Sequence, residues 1–393
     1  MALSKIDIEN MVTGETPVTN GGTGQTTLAA AGLTRPLSKP IIINGNQSIS
    51  QRTTSVAMSN GIFCTDRYKH AVSNDGAATI TQESLSSGSA FTDGFANALK
   101  IDVTTADSSL SSAQHYFIRY SIEGQDVQNI KKGTASAEKL TLAFWVKATK
   151  TGTNVVRIYT ADSDRSCSIA YTVSSSDTWE KKILNFPADT TGTVIADDNT
   201  VGMQIDWGVA AGSNYTSGTL ATAWAGNTSA NDFVGQVNNL DSTSNNFHIT
   251  GIQLEIGEFS STTIPPFQHE SFADNFARCA RYFFRVAEHG ADGLSNQTVG
   301  TGYYKNTDQF RVSVYLPVKP RTPPSLTSGS ASNAYVIDIQ GSTDYVDDFT
   351  LTRSNGKNIQ VMHNSSDASG TIGEAGEIAT DNSSGIIDFS AEL

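Results

Sequence analysis

Cysteine is almost missing from this chain. Its three residues, Cys64, Cys167 and Cys279, are far apart and odd in number, which excludes a disulfide framework and a zinc-finger spacing and fits assembly in a reducing compartment. Charge is scarce too. Only 17% of residues are charged, against the usual quarter. Acidic residues outnumber basic ones, the formal net charge is −13, and no basic stripe carries interleaved aromatics. General affinity for nucleic acid or anionic membrane is therefore not expected, and ligand binding is expected to be nearly insensitive to salt. No apolar run reaches membrane-spanning length. Residues 1–15 lack an apolar stretch of the signal-peptide type, so the expected route out of a cell is lysis rather than secretion.

Catalytic and cofactor motifs are equally thin. The six histidines (His70, His115, His248, His269, His289, His363) form neither HExxH nor a His-x-x-His pair, so no metal site is expected. There is no G-x-S-x-G elbow. Asp197-Asp198 and Asp347-Asp348 are adjacent, and neighbours in a strand face opposite sides, so neither makes the spaced carboxylate pair of a glycosidase. Asp162-Ser163-Asp164 offers loop oxygens without the glycine and distant glutamate of an EF-hand, and reads as a solvated loop. Gly21, Gly22 and Gly24 lack both the Lys-Ser/Thr ending and the preceding strand of a phosphate loop. The expectation is a protein that is not an enzyme and needs no cofactor.

What is abundant is Ser, Thr, Asn and Gly, the composition of turn-rich β structure. Leu99, Ile101 and Val103 alternate with polar residues. The same two-residue period of large apolar side chains recurs at Tyr116, Ile118 and Tyr120, which alternate with Phe117 and Arg119, and at Leu140, Leu142, Phe144 and Val146, which alternate with Thr141, Ala143, Trp145 and Lys147. It recurs again at Ile169, Tyr171 and Val173, and at Val201, Met203, Ile205 and Trp207. Short strands separated by turn clusters predict a sandwich or jelly roll. Val312, Val314 and Leu316 open a second series, with strands expected near 349–351, 359–362 and 386–389. Ala391-Glu392-Leu393, directly after a strand, predicts a tucked end. Residues 1–50, with Thr16–Leu33 reading TPVTNGGTGQTTLAAAGL, are too poor in apolar residues to bury a core.

Between the two series lies the stretch His248–Val286. Ile252, Leu254 and Ile256 alternate as a half-buried strand, stopped by Gly257 and Pro265-Pro266. Ser271 precedes Asp274 by three, a capping-box spacing. Phe272, Phe276, Cys279 and Phe283 then follow at spacings that predict one apolar helical face. The words ITGIQLEIG and PPFQHESFADNFARCARYFFR closely resemble a junction in tailed-phage fibre and receptor-binding proteins, where a carbohydrate-binding-module-like jelly roll ends and a Cys-x-Arg-Tyr helix leads into a C-terminal β domain. Here that helix reads Cys279-Ala280-Arg281-Tyr282, with Phe272 and Phe276 in place of the family's leucines. NGGTG resembles connector segments of the same fibres.

The resemblance implies a mainly β chain: an extended virion-anchoring or shaft segment (1–50), a jelly-roll β-sandwich (51–270), a connecting helix (271–286) and a smaller C-terminal β domain (287–393). It further implies a homotrimeric tail-fibre subunit of a virion, assembled in the host cytoplasm. Its partners would be tail or collar proteins, through residues 1–50, and host-surface polysaccharide; nucleic acid and membrane insertion are not expected. A purely structural collar, adaptor or head-fibre role is the alternative.

A sugar ring needs a flat aromatic face beside amide and carboxylate groups. The region 208–247 presents Tyr215, Trp224 and Phe233 among asparagines, and Tyr215, Trp224 and Asn227 are its candidate contacts. Trp145 is out of phase with Leu142 and Phe144, faces the other side of its strand, and is the alternative candidate. Trp207 shares a face with Met203 and Ile205 and is expected in the core.

Overall fold

The computed structural model describes residues 39–363 and 367–393, so the anchoring role expected of residues 1–50 falls mostly outside the described residues. The strands form four antiparallel sheets. The first runs, in spatial order, Ser55–Ala57, Ala77–Ser84, Asn97–Thr105, Asn246–Ile256, Leu140–Ala148 and Glu180–Phe186. The second runs Ala225–Gly226, Arg165–Val173, Gly152–Thr160, Val201–Ala211, His115–Glu123 and Tyr68–Ser73. Alternation along each strand turns one row of apolar residues inward, and the two inward rows share one core. Phe144 from the first sheet meets Tyr171 and Trp207 of the second edge-on, with ring centroids 5.3 and 6.0 Å apart. Trp207 is fully buried, as its phase predicts. This is the expected jelly-roll sandwich.

Residues 39–50 differ from the expectation that groups them with the polar anchor. Ile41, Ile42, Ile43 and Ile49 are buried, and Gly45 accepts a backbone bond from Ile252 in the closing strand. The IIIN run supplies apolar surface that the preceding residues lack.

The helix is shorter than its apolar spacing predicts. It spans Phe272–Ala280, capped by Ser271, whose Oγ accepts from the Asp274 amide at 3.2 Å. Phe283 belongs instead to strand Phe283–Glu288, which pairs with Ile386–Ser390. Strand pairing at 283 overrides the helical period, because each residue there gains ladder bonds and a buried face at once. The helix also buries Asn275, Cys279 and Ala280 rather than a phenylalanine stripe, leaving Phe272 66% exposed.

Past the helix, Phe283–Glu288, Ile386–Ser390 and Ser325–Ser328 form a three-stranded sheet. It packs on a seven-stranded one: Ser342–Val346, Tyr335–Ile339, Ala375–Thr380, Thr298–Asn306, Gln309–Tyr315, Asn358–Met362 and Thr350–Ser354. The two share a second core. Charged clamps join this unit to the sandwich. Glu123 accepts both nitrogens of a bidentate Arg281 at 2.7 Å and the Tyr282 hydroxyl at 2.6 Å. Glu392 pairs with Arg67 at 2.6 Å and Arg52 at 3.2 Å. The chain end is tucked as expected, with Ala391 buried and Leu393 packed against the cluster of Ile43, Ile49, Cys279 and Tyr282. No helix among the described residues is long and apolar enough to cross a membrane.

Candidate functional site

The second sheet turns its other face outward, and three neighbouring strands place charge there. Arg119 lies between inward-facing Ile118 and Tyr120, Arg157 between Val156 and Ile158, and Asp206 between Ile205 and Trp207. Register puts them in one row: Arg119 opposite Asp206, and Asp206 opposite Arg157. Arg119 holds Asp206 bidentately, Nε to Oδ1 at 2.8 Å and Nη2 to Oδ2 at 3.1 Å. Arg157 donates to Asp206 Oδ2 at 2.6 Å and to Asp232 Oδ2 at 2.5 Å, and Ser166 donates to Asp232 Oδ1 at 3.1 Å. All four carboxylate oxygens thus accept a bond. The carboxylates themselves are fully buried, while the Arg119 side chain keeps 26% of its surface open. Burial pushes the Asp206 carboxyl up, but Arg157 and Arg119 outweigh it and hold it below the usual carboxylate range. At Asp232 burial wins, and its carboxyl is raised despite Arg157.

Part of the 208–247 segment, residues 213–236, lies across this face. Gly208 makes the close approach possible: a Cβ there would stand 2.4 Å from Gln236 Oε1 and 3.0 Å from the Phe233 ring. Phe233 stacks on Phe117 with centroids 4.2 Å apart, and Tyr215 meets Phe117 edge-on at 5.5 Å. At the other end, Tyr159 stands half-buried, its hydroxyl donating to Asp164 Oδ1 at 3.1 Å. The Arg157 guanidinium lies 5.4 Å from the Tyr159 ring centroid and 5.7 Å from that of Phe233. The face is therefore an ion-paired polar row flanked by an aromatic group on either side.

The four candidates from sequence separate. Tyr215 sits at the aromatic end of this face. Asn227 sits at the other, its amide donating to the Asp164 carbonyl at 2.8 Å and its buried Oδ1 without a partner. Trp224 packs against the main core and donates its indole N–H to the Pro187 carbonyl at 2.7 Å. Trp145 lies on the opposite, first sheet. There it donates to Asp93 Oδ2 at 3.0 Å and borders a shallow depression of about 530 Å³ with Gly88, Ser89, Thr92 and Asp93. Gly251 sits beside it at a bulge with φ +61°, and a Cβ there would be 2.7 Å from the Phe95 ring. Arg119, Arg157, Asp206 and Tyr159 escaped the sequence reading. Their signal was there, as polar or charged residues in the outward phase of strands whose inward residues are large and apolar.

Among the described residues no group of three His, Cys, Asp or Glu is placed to hold a metal ion. In the Asp162-Ser163-Asp164 loop, Asp162 Oδ2 accepts from the Ala196 amide at 3.0 Å and Asp164 is bonded to Tyr159.

No family model matches the chain, and no curated protein matches it. Solved structures do. One is the enzymatically active domain of tailspike protein 4 from bacteriophage CBA120: 12% identity, TM-score 0.25, covering 55% of this chain and 21% of that one. The chain thus spans about a fifth of that domain's length. Another is a putative sugar-binding protein from Bacteroides thetaiotaomicron: 13% identity, TM-score 0.30, covering 56% of this chain and 100% of that one. A third is the family 11 carbohydrate-binding module of a Clostridium thermocellum cellulosomal cellulase: 13% identity, TM-score 0.26, covering 54% and 98%.

Proposed function

We propose that the chain is a fibre-type subunit of a phage virion that attaches to the host surface by binding glycan on the outer face of the second sheet, without chemistry. One observation carries the binding reading. The row Arg119–Asp206–Arg157–Asp232 is fixed by its own ion pairs yet open at Arg119, and it lies between Tyr159 and Tyr215. Sugar hydroxyls find donors and acceptors that need no reordering, and the ring faces find Tyr159 and Tyr215. Both carboxylates are committed to arginines, so neither is assigned a proton-transfer role. Residues 1–38 are proposed to hold the subunit on the particle, since 39–50 are packed into the sandwich, and polysaccharide to be the distal partner.

The test is a glycan-array and whole-cell binding assay on the full chain, with Arg119→Ala and Tyr159→Ala. Each is expected to lose about tenfold in affinity, the worth of one charged hydrogen bond or one ring contact, while melting as a folded protein. Folded variants that bind host cells as the parent does remove this face as the site. A parent that binds no host polysaccharide leaves the sandwich as a spacer in a collar or adaptor.

A further inference from the structure

The seven-stranded sheet is covered on one side only, and its outer face carries a different chemistry from the sandwich. Register sets the grid. Tyr315 pairs with Asn358, Ser313 with Gln360, and Gln360 with Arg353. A depression of about 560 Å³ opens over Ser313, Gln360, Asn358, Asn355 and Arg353. Tyr315, two residues beyond Ser313 on the same face, is 64% exposed, with the Lys357 ammonium 5.8 Å from its ring centroid. Gln360 Oε1 and Arg311 Nε, in neighbouring rows, are buried without a partner.

The depression does not end there. It shares Ser354 with a second one of about 340 Å³, which runs past Gly356 to Lys319 and Arg321. That one shares Asn199, Lys319, Pro320 and Arg321 with the cleft of about 810 Å³ between the two units, where Lys39 also lies. The three depressions adjoin through these shared residues and together make up a trough. Among the described residues, no carboxylate pairs with Arg353, Lys319 or Lys39. Arg321 spends its donors on the backbone carbonyls of Asn199, Ala391 and Glu392. Two exposed carboxylates, Asp126 and Asp198, line the cleft end. The trough therefore holds four cations without a paired carboxylate in a protein of net charge −13.

We infer that this trough binds a linear acidic polysaccharide, a saccharide chain bearing carboxylates. The acid groups meet Arg353 and Lys319, and a ring stacks on Tyr315. The sugar hydroxyls reach Asn358 and Gln360, the latter supplying an acceptor that now has no donor. Charge complementarity chooses the occupant, because only an anionic ligand gains from these cations against the repulsion of the acidic whole. Spaced single cations beside an exposed ring and amides suit a sugar acid better than the dense charge of a phosphodiester backbone. This trough is separate from the sandwich face, and binding there is salt-sensitive, unlike the salt-insensitive binding expected of the sequence.

The probe is a polygalacturonate oligosaccharide and its carboxyl-reduced counterpart, titrated calorimetrically into the full chain at low and high salt. The acidic form is expected to bind and to weaken about tenfold as salt screens the trough, and the reduced form to bind at least about tenfold more weakly. Arg353→Ala combined with Lys319→Ala, both exposed, is expected to abolish the preference for the acid while leaving neutral-glycan binding unchanged. Tyr315→Ala is expected to weaken binding without altering its salt dependence. Equal binding of the two probes overturns the inference, as does a double variant that binds like the parent. An oligonucleotide or poly-glutamate of equal charge that competes equally well also overturns it.

Discussion

Arg157 is the residue on which the sandwich face depends. It bridges two carboxylates that are otherwise buried, and removing one member of such a set leaves uncompensated charge. Arg157→Leu is expected to cost about 3–5 kcal/mol in urea unfolding. Arg119→Ala is expected to cost far less, because Arg157 still pairs with Asp206. Glu255 behaves in the opposite way. Burial alone raises its carboxyl from 4.5 to about 7. Between those values the folded state keeps a proton that the unfolded state has released, so stability falls as pH rises through that window. Glu255→Gln is therefore expected to match the parent near pH 4 and to be more stable at pH 8. The gain there is about 1–2 kcal/mol once the water that reaches the group is allowed for; a gain at pH 4 instead would contradict the assignment. Single residues were partly legible. Trp207 and Trp145 were placed by phase alone. The Arg119–Asp206–Arg157 row was not, because phase tells which side a residue faces but not which residue of a distant strand stands opposite.

At the scale of elements, the strands are legible in the sequence and the helix only in part. Its start was legible in Ser271 and Asp274, since a cap is a local bond. Its end was not, since the strand that claims Phe283 finds its partner at Ser390, more than a hundred residues on. Phe276 is only half-buried, against Phe272 and Phe284. Phe276→Ala is accordingly expected to cost about 1–2 kcal/mol rather than the 3–5 of a fully buried phenylalanine. Asn275 does more for the helix position. Its Oδ1 accepts from the Asn44 amide at 3.0 Å and its Nδ2 donates to Ser48 Oγ at 3.1 Å. Asn275→Ala leaves a buried N–H without a partner and is expected to cost about 1–3 kcal/mol. Denaturant midpoints that rank the two mutants the other way by more than that margin would reverse this account of the helix.

The whole molecule is two β units locked by charge. Glu123 with Arg281 and Tyr282, and Glu392 with Arg67 and Arg52, tie the sandwich to the C-terminal unit. The parent is expected to unfold in one calorimetric transition, and Glu392→Ala to separate it into two; two transitions in the parent would show that the clamps do not couple the units. These clamps join positions 158 to 340 residues apart, so composition and spacing hold no trace of them. A homotrimer is proposed for the assembled fibre, in which weak single sites gain avidity on a shared surface. A stable monomeric mass of the full chain in solution would contradict it. The central claim is that the outer face of the second sheet holds the ligand, and amide hydrogen exchange with and without host polysaccharide tests it most directly. Protection is predicted in His115–Glu123, Gly152–Thr160, Arg165–Val173 and Val201–Ala211, together with the 213–233 segment that lies across them. Protection confined to other elements, or none at saturating polysaccharide, would contradict it.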